Sequence, residues 1–289
     1  MNSTPAEQNQ HYAPGDIDAA SEAVLNALGK DASLLTTADL EGIDQFHSGG
    51  LEATHLLAAR ANILASDRVL DIGGGLGGPA RVLAQEIGCQ VTVLDVTEGF
   101  CRVGEKLTAR THLSDSVHFV VGNALDLPFE DGSFDVVWTQ HSSMNIADKV
   151  QLYAQIHRVL RPGKRLALHE VTVGLDEPLH FPVPWAANPA MSFLQSQSAF
   201  RETVAQAGFR ELEWNDITAW TLAWFQERQR ASQSSGVSAN GLSLNLLLGP
   251  DAAIMTHNFA RNAQEGRIHV VQAVFERIEP FVPSSYSLY

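Results

Sequence analysis

The stretch Val69-Leu70-Asp71-Ile72-Gly73-Gly74-Gly75-Leu76-Gly77-Gly78 decides the fold of this 289-residue chain. A short apolar run typical of a buried strand leads into a group of glycines, and helical spacing of apolar residues follows. Glycines tolerate positive φ and let a ligand approach the backbone closely at the carboxyl edge of a sheet. The spacing Gly73-x-Gly75-x-x-Gly78 by itself also fits a dinucleotide-binding loop.

Strand patterns and helix patterns alternate on both sides of this loop. Such alternation predicts an α/β fold in which a doubly wound parallel sheet carries helices on both faces. The predicted strands are 68–72, 90–95, 117–121, 134–139, 165–171, 209–217 and 268–278, and the predicted helices are 16–28, 51–64, 79–87, 97–111, 149–160, 198–207, 220–230 and 251–264. We expect residues 1–15 to be loose, 43–50 and the proline-rich stretch 174–189 to be loops, and 232–241 to be a linker.

The net charge of the chain limits the classes of partner that it is expected to bind. It has 19 basic and 33 acidic residues and a formal net charge of −14, which repels phosphate backbones and anionic lipid heads. Nucleic acid is therefore not an expected partner, and no apolar run reaches membrane-spanning length. Cys89 and Cys101 form neither a disulfide framework nor a zinc motif, so we expect no metal. With no recognisable signal peptide, the sequence predicts a cytoplasmic protein.

Asp71 separates two interpretations of the glycine loop. It lies two residues before the first glycine, where its carboxylate would repel the pyrophosphate of a dinucleotide. The same carboxylate suits a ligand that carries an ammonium group and a sulfonium. The alternative is that Asp71 caps the next helix.

Polar residues also follow the second and third predicted strands. Asp95 ends the second strand, where a carboxylate can accept both hydroxyls of a ribose; its alternative is to cap the helix that begins near Thr97. Asn123 and Ala124 follow the third strand, where the Asn amide can hydrogen-bond an adenine edge. Together with the glycine loop, these residues predict an adenosine pocket.

Several segments resemble the class I S-adenosylmethionine-dependent methyltransferases, and within them the type-11 methyltransferase domain and the quinone-biosynthesis C-methyltransferases. Phe46-His47-x-Gly49-Gly50 and Ala260-Arg261-Asn262-x-x-x-Gly266-Arg267 are also similar to segments of sarcosine/dimethylglycine and phosphoethanolamine methyltransferases. The segments that carry the class I resemblance are Leu70-Asp71-Ile72-Gly73-Gly74-Gly75, Asp95, Gly122-Asn123-Ala124, Leu127-Pro128-Phe129, Asp131-Gly132-Ser133-Phe134-Asp135-Val136-Val137 and Leu160-Arg161-Pro162-Gly163.

The resemblance implies a Rossmann-like, seven-stranded, mostly parallel sheet whose last strand is antiparallel, with helical lid elements. It implies S-adenosyl-L-methionine as cofactor and S-adenosyl-L-homocysteine as product. The implied cofactor-binding residues are Asp71, Gly73, Gly74, Gly75, Gly78, Asp95, Val96, Asn123, Ala124, Gln140 and His141. It divides the chain into an N-terminal lid or flexible segment (1–50), a cofactor-binding core (51–173), substrate lid elements (174–195 and 219–266) and the completion of the sheet (196–218 and 267–289).

The expected chemistry is in-line methyl transfer to a small molecule. His141 follows the fourth strand, beside the expected position of the methyl group, and is either a general base or a residue that only hydrogen-bonds the loop or the cofactor carboxylate. Glu170 lies near the end of the fifth strand and either grips the substrate or is a buried structural acid. His169 and Glu170 face opposite ways, so at most one points into the cleft.

The sequence leaves the acceptor open. Gln45, His47, Met144 and Trp185 are candidates to contact it, and the methylated atom can be nitrogen, oxygen or carbon. Two other functions stay open: a nicotinamide-dependent oxidoreductase, and a catalytically silent methyltransferase-like binding protein. The oligomeric state is not indicated by the sequence.

Overall fold

The computed structural model describes residues 18–19, 21–22, 35–175, 177–235 and 249–278. Residues 1–15, most of the predicted helix 16–28 and residues 236–241 of the predicted linker lie outside the described residues. No helix in the described ranges is both long enough and apolar enough to cross a membrane.

Eight α-helices and seven strands are described. The helices are α1 (Thr37–Asp44), α2 (Gly50–Ala61), α3 (Gly78–Ile87), α4 (Glu98–Arg110), α5 (Lys149–Val159), α6 (Gln197–Gln206), α7 (Thr218–Ser235) and α8 (Ala252–Gln264). The strands are β1 (Arg68–Ile72), β2 (Gln90–Asp95), β3 (Val117–Val121), β4 (Phe134–Gln140), β5 (Leu160–Val173), β6 (Phe209–Asp216) and β7 (Ile268–Arg277).

The seven strands form one sheet in the order β3-β2-β1-β4-β5-β7-β6. The first five strands in this order are parallel to one another, whereas β7 is antiparallel to both β5 and β6. This confirms the predicted seven-stranded, mostly parallel sheet with a reversed last strand. Because β1 to β4 are parallel, their carboxyl ends meet at one edge, and the segments that follow them lie side by side.

The core lies on both faces of the sheet, as the continuous apolar runs of β1 and β4 require. Leu70 and Val137 pack with α5 and α6 on one face. Val69 and Trp138 pack with α2 and α3 on the other. A further apolar cluster, which includes Leu40 and Ile43 of α1, packs next to the glycine loop.

The structure differs from the sequence prediction at several element boundaries. The loop expected from residue 43 begins only after Asp44, which is the last residue of α1. The sequence prediction did not include this helix, whose start is marked by a capping box of Thr36 and Asp39. Strand β5 begins at Leu160, which pairs with Phe134 before an irregularity, and so takes the last residue of the predicted helix. Helix α7 continues through residue 235, since Ser and Gln are tolerated in a final helical turn.

The loop before α2 is interlocked with α7. Gly49 and Gly50 adopt φ of +83° and +50°, a region that favours glycine. A Cβ on Gly49 would lie 2.5 Å from the ring of Trp220, and one on Gly50 would lie 3.3 Å from the ring of Trp224. Two indole rings of α7 therefore press directly on the backbone of this loop.

Candidate functional site

The glycine loop after β1 runs between two polar side chains. Gly73 and Gly75 adopt φ of +70° and +56°, and the Gly73 N–H donates to the Leu94 carbonyl over 2.7 Å. A Cβ on Gly73 would lie 2.5 Å from the Ser142 Cβ, and one on Gly74 would lie 2.5 Å from Asp71 Oδ2. Gly73 and Gly74 therefore have no room for side chains, and the backbone of the loop borders a cavity of about 210 Å³.

Asp71 is the most unusual group in the wall of this cavity. Only 2% of it is exposed, and within the described part of the chain its Oδ2 has no hydrogen-bond partner. Burial raises the pKa of Asp71 to about 8, and the nearby negative charge of Asp95 contributes. An unpaired buried carboxyl is costly, so this group is suited to a cationic ligand that supplies the missing partner.

Asp95 connects the glycine loop to the start of α4. Its Oδ2 accepts from the Gly75 N–H over 3.0 Å, and its Oδ1 accepts from the Thr97 N–H over 2.8 Å. The carboxylate therefore holds the start of α4, as one interpretation of the sequence proposed, and it also borders the cavity. Each oxygen has a second lone pair that can accept from a ribose hydroxyl.

The third side of the cavity follows β3. Val96, Gly122, Asn123 and Ala124 all border the cavity. The Asn123 Oδ1 already accepts from the Leu125 N–H over 2.9 Å, so this oxygen holds the local turn of a residue that borders the cavity. Its second lone pair is what remains for an adenine amine.

Gly78 lies apart from the other predicted cofactor residues. It begins α3, and a Cβ there would lie 2.3 Å from the Asp44 carbonyl oxygen. It is not among the described residues that border the cavity. Its position allows α1 to pack closely against the glycine loop.

Three histidines meet where the cavity ends. The ring centroids of His141 and His169 are 4.6 Å apart, and His47 lies 5.6 Å from His169. Burial lowers the pKa of His47 to about 4 and that of His141 to about 3, and repulsion by charge on His47 adds to the effect at His141. All three rings are therefore neutral at physiological pH. Within the described chain, no group of three or more His, Cys, Asp or Glu residues is arranged to hold a metal ion.

Glu170 lies beneath the turn that follows β4. It is completely buried, and its Oε1 accepts from the Thr139 hydroxyl over 2.7 Å and from the Ser143 N–H over 3.2 Å. Burial raises its pKa, and these hydrogen bonds oppose that rise. His169 and Glu170 do face opposite sides, but among the described residues neither borders the cavity.

A second, smaller cavity of about 50 Å³ adjoins the first. The two share the wall formed by Phe46, His47, His141, Pro184 and Trp185. The second cavity is otherwise lined by Gln45, Ser48, Trp224, Phe225, Thr256 and Phe259. Met144 borders only the first cavity.

Aromatic rings line most of the second cavity. The ring centroids of Trp224 and Phe225 are 5.1 Å apart, those of Phe225 and Phe259 are 5.5 Å apart, and those of Trp185 and Phe259 are 6.1 Å apart. The sequence prediction missed Phe46, Pro184, Thr256 and Phe259. Phe259 gave no local signal, since one buried phenylalanine on an amphipathic helix is normally a core residue.

Comparisons with known proteins agree with this geometry. Residues 70–168 match the family described as a methyltransferase domain. Methyltransferase phqN from Penicillium fellutanum is 37% identical over 41% of this chain and 36% of its own length. The glycine/sarcosine/dimethylglycine N-methyltransferase of Actinopolyspora halophila is 27% identical over 57% of this chain and 29% of its own length. The chain thus spans about a third of the length of these curated relatives.

A solved structure shares the fold. Phosphoethanolamine N-methyltransferase 2 from Haemonchus contortus, in complex with S-adenosyl-L-methionine, superposes with a TM-score of 0.70 at 19% identity, over 84% of this chain and 58% of that one. The glycine loop, Asp95, Asn123 and His141 all lie within residues 70–168. Residues 70–168 therefore match a methyltransferase domain, and the fold of the chain is the class I fold that the sequence resemblance implied.

Proposed function

We propose that the protein transfers a methyl group from S-adenosyl-L-methionine to a small molecule. One observation carries the proposal: the buried Oδ2 of Asp71, which has no hydrogen-bond partner in the described chain, lies beside Gly73 and Gly74, where a side chain would have no room. A carboxyl in that position favours a ligand with positive charge and disfavours a pyrophosphate. The residues therefore fit this cofactor better than a dinucleotide.

Different residues around the first cavity bind different parts of the cofactor. Asp71 and the backbone of Gly73 to Gly75 hold the methionine part, Asp95 and Val96 the ribose, and Asn123 with Ala124 the adenine. When bound, the cofactor supplies an electrophilic methyl group on a sulfonium. The protein then has to orient the acceptor in line with that group and exclude water.

The residues at the end of β4 complete the site. Gln140 and His141 border the methionine end, and His141, like His47, borders both cavities. We assign Glu170 a positioning role, because its carboxylate holds the Thr139 hydroxyl and the Ser143 N–H rather than reaching a cavity. A cytoplasmic location and the absence of nucleic-acid partners stay predictions from the sequence.

Binding of the product analogue tests the cofactor. Calorimetric titration with S-adenosyl-L-homocysteine is expected to give a one-to-one complex, and titration with NAD is expected to give no heat. Because Asp71 must lose its proton to pair with the ligand ammonium, affinity should rise between pH 6 and pH 8. The measured proton release, compared between buffers of different ionisation enthalpy, checks that link. Binding of NAD instead would favour the oxidoreductase alternative.

The second cavity indicates the chemistry of the acceptor. No side chain among the described residues that line it carries a charge at neutral pH, since the histidines there are neutral. Its aromatic lining favours an uncharged, partly apolar acceptor, held beside Gln45, His47, Trp185 and, in the first cavity, Met144. Transfer of isotope-labelled methyl to such molecules in an acceptor panel is the test. Cofactor binding without transfer to any acceptor would support the silent binding protein.

Removing one ring of the second cavity should separate the two binding events. We expect Phe225→Ala to raise the KM for an apolar acceptor about 10-fold, because a lost aromatic contact costs roughly 1–3 kcal/mol. The affinity for S-adenosyl-L-homocysteine should not change, because Phe225 borders only the second cavity. Leu212→Ala, on an exposed side chain of β6, is the control. An unchanged KM would place the acceptor elsewhere.

A further inference from the structure

Four side chains form a hydrogen-bonded row behind the wall of the first cavity. The row begins at the completely buried Trp138, whose indole N–H donates to Gln140 Oε1 over 3.0 Å. An indole nitrogen is a donor only, so the oxygen of the Gln140 amide must face it. The orientation of that amide is therefore fixed, and its NH₂ group points the other way.

The Gln140 amide sets the protonation of the next residue. Its Nε2 lies 3.3 Å from His169 Nδ1. An amide nitrogen only donates, so Nδ1 of His169 must accept and carries no proton. Burial and the neighbouring rings hold the pKa of His169 well below its ordinary value, so the ring is neutral. Its single proton is then on Nε2.

His169 in turn sets the protonation of His141. The Nε2 atoms of the two rings are 3.3 Å apart, and since His169 donates there, His141 Nε2 accepts. Ser48 Oγ also lies 3.2 Å from this nitrogen and shares its one lone pair with the His169 N–H. Because His141 is also neutral, its proton is on Nδ1.

The backbone keeps His141 in this place. Its φ of +52° is unusual for a residue with a side chain, and its N–H donates to the His169 carbonyl over 2.8 Å. In the described chain, the recorded side-chain hydrogen bonds of His141 all involve Nε2. The ring borders both cavities, so Nδ1 is the nitrogen left to meet a ligand.

We infer that His141 presents an N–H donor at the junction of the two cavities, with Trp138, Gln140 and His169 as positioning residues that fix its tautomer. If the proposed methyl transfer holds, the acceptor offers an oxygen lone pair at this point: a phenolic, enolic or carbonyl oxygen rather than an ammonium group. A donor aimed at such an oxygen stabilises negative charge on it. The lone pair of His141 is engaged by His169, so the ring does not serve as the general base.

The proton positions can be measured in the ligand-free protein. Long-range ¹H–¹⁵N NMR spectra distinguish the two histidine tautomers, and we expect Nε2–H for His169 and Nδ1–H for His141. Spectra that show Nε2–H for His141 would overturn the inference. The result does not depend on cofactor binding or turnover, so it is independent of the proposed function.

A substitution that reverses the row gives a second test. In Gln140→Glu, an ionised carboxylate can only accept, so it receives the Trp138 N–H and a proton on His169 Nδ1. His169 Nε2 must then accept from His141, whose proton moves to Nε2. In the NMR spectrum of this variant we expect the opposite tautomer at each ring, Nδ1–H for His169 and Nε2–H for His141. Gln197→Glu, on the outer helix α6, should leave both tautomers as they are in the wild type. The measurement is made at a pH where the introduced carboxyl is ionised. Unchanged tautomers in the folded variant would contradict the inference. If the variant does not fold, the spectrum of the wild type decides.

Discussion

Replacing Asp71 with asparagine is expected to weaken the binding of S-adenosyl-L-homocysteine by about 10- to 100-fold, because a charge-assisted hydrogen bond contributes roughly 1.5–3 kcal/mol. The same change should remove a pH dependence from the stability of the ligand-free protein. Both effects have one origin, the burial of an acid whose Oδ2 has no hydrogen-bond partner among the described residues.

The sign of the pH effect follows from the pKa of Asp71, about 8 in the folded protein against 3.8 in an exposed carboxyl. Between these values the unfolded chain has lost the proton and the folded protein has kept it. Raising the pH through this window therefore favours unfolding by about 1.4 kcal/mol per pH unit from this group. Asparagine does not titrate, so the variant loses this contribution.

Urea unfolding at pH 5, 6, 7 and 8 measures the difference. The free energy of unfolding of the wild type should fall more steeply with pH than that of Asp71→Asn. Asp115→Asn, an exposed acid at the amino edge of the sheet, is the matched control and should follow the wild type. Equal slopes for the wild type and Asp71→Asn would show that Asp71 is already ionised in the free protein.

Replacing Arg81 with leucine is expected to lower the free energy of unfolding by about 3–5 kcal/mol, since it leaves a buried acid without its partner. Arg81 is completely buried, and its Nη2 lies 2.7 Å from Asp44 Oδ2. Its Nη1 also donates to the Thr108 hydroxyl over 2.9 Å and to the Gly104 carbonyl. One guanidinium thus joins α1, α3 and α4 behind the glycine loop.

Two further variants separate the free energy lost with the ion pair from the free energy lost with a long side chain. Arg210→Leu breaks an exposed pair with Glu276 and should cost no more than about 1 kcal/mol. The double variant Asp44→Leu/Arg81→Leu carries no unpaired charge and should recover part of the stability. Urea unfolding of all three variants is the measurement. A cost below about 1 kcal/mol for Arg81→Leu would mean that the pair does not hold α1 in place.

Much of the first cavity was predictable, because the carboxyl ends of parallel strands meet at one edge. The glycine loop, Asp95 and Asn123 each follow a strand that its apolar run identified, and the sheet brings them together. The position of Gly78 was not predictable from the spacing alone. Its glycine is required by contact with Asp44 of α1, a helix that the sequence prediction did not include.

The second cavity and the histidine row were harder to predict. Phe259 reaches His141 only because α8 packs over the sheet, and no local pattern indicates that contact. The row of hydrogen bonds had a partial signal, since Trp138 and Gln140 lie two residues apart on one strand and share a face. Their partner His169 comes from the neighbouring strand, so its ring position depends on the register between β4 and β5.

The contact of Gly49 and Gly50 with the tryptophans of α7 has a mechanical consequence. The segments around positions 50 and 220 are far apart in the chain but in direct contact, so neither can move away from the second cavity without the other. A molecule that enters the second cavity cannot displace the loop before α2 by itself, because the Trp220 ring lies where a Cβ on Gly49 would be. Any displacement that widens the second cavity at this loop must therefore involve α7, a helix of 18 residues, and not the short loop by itself.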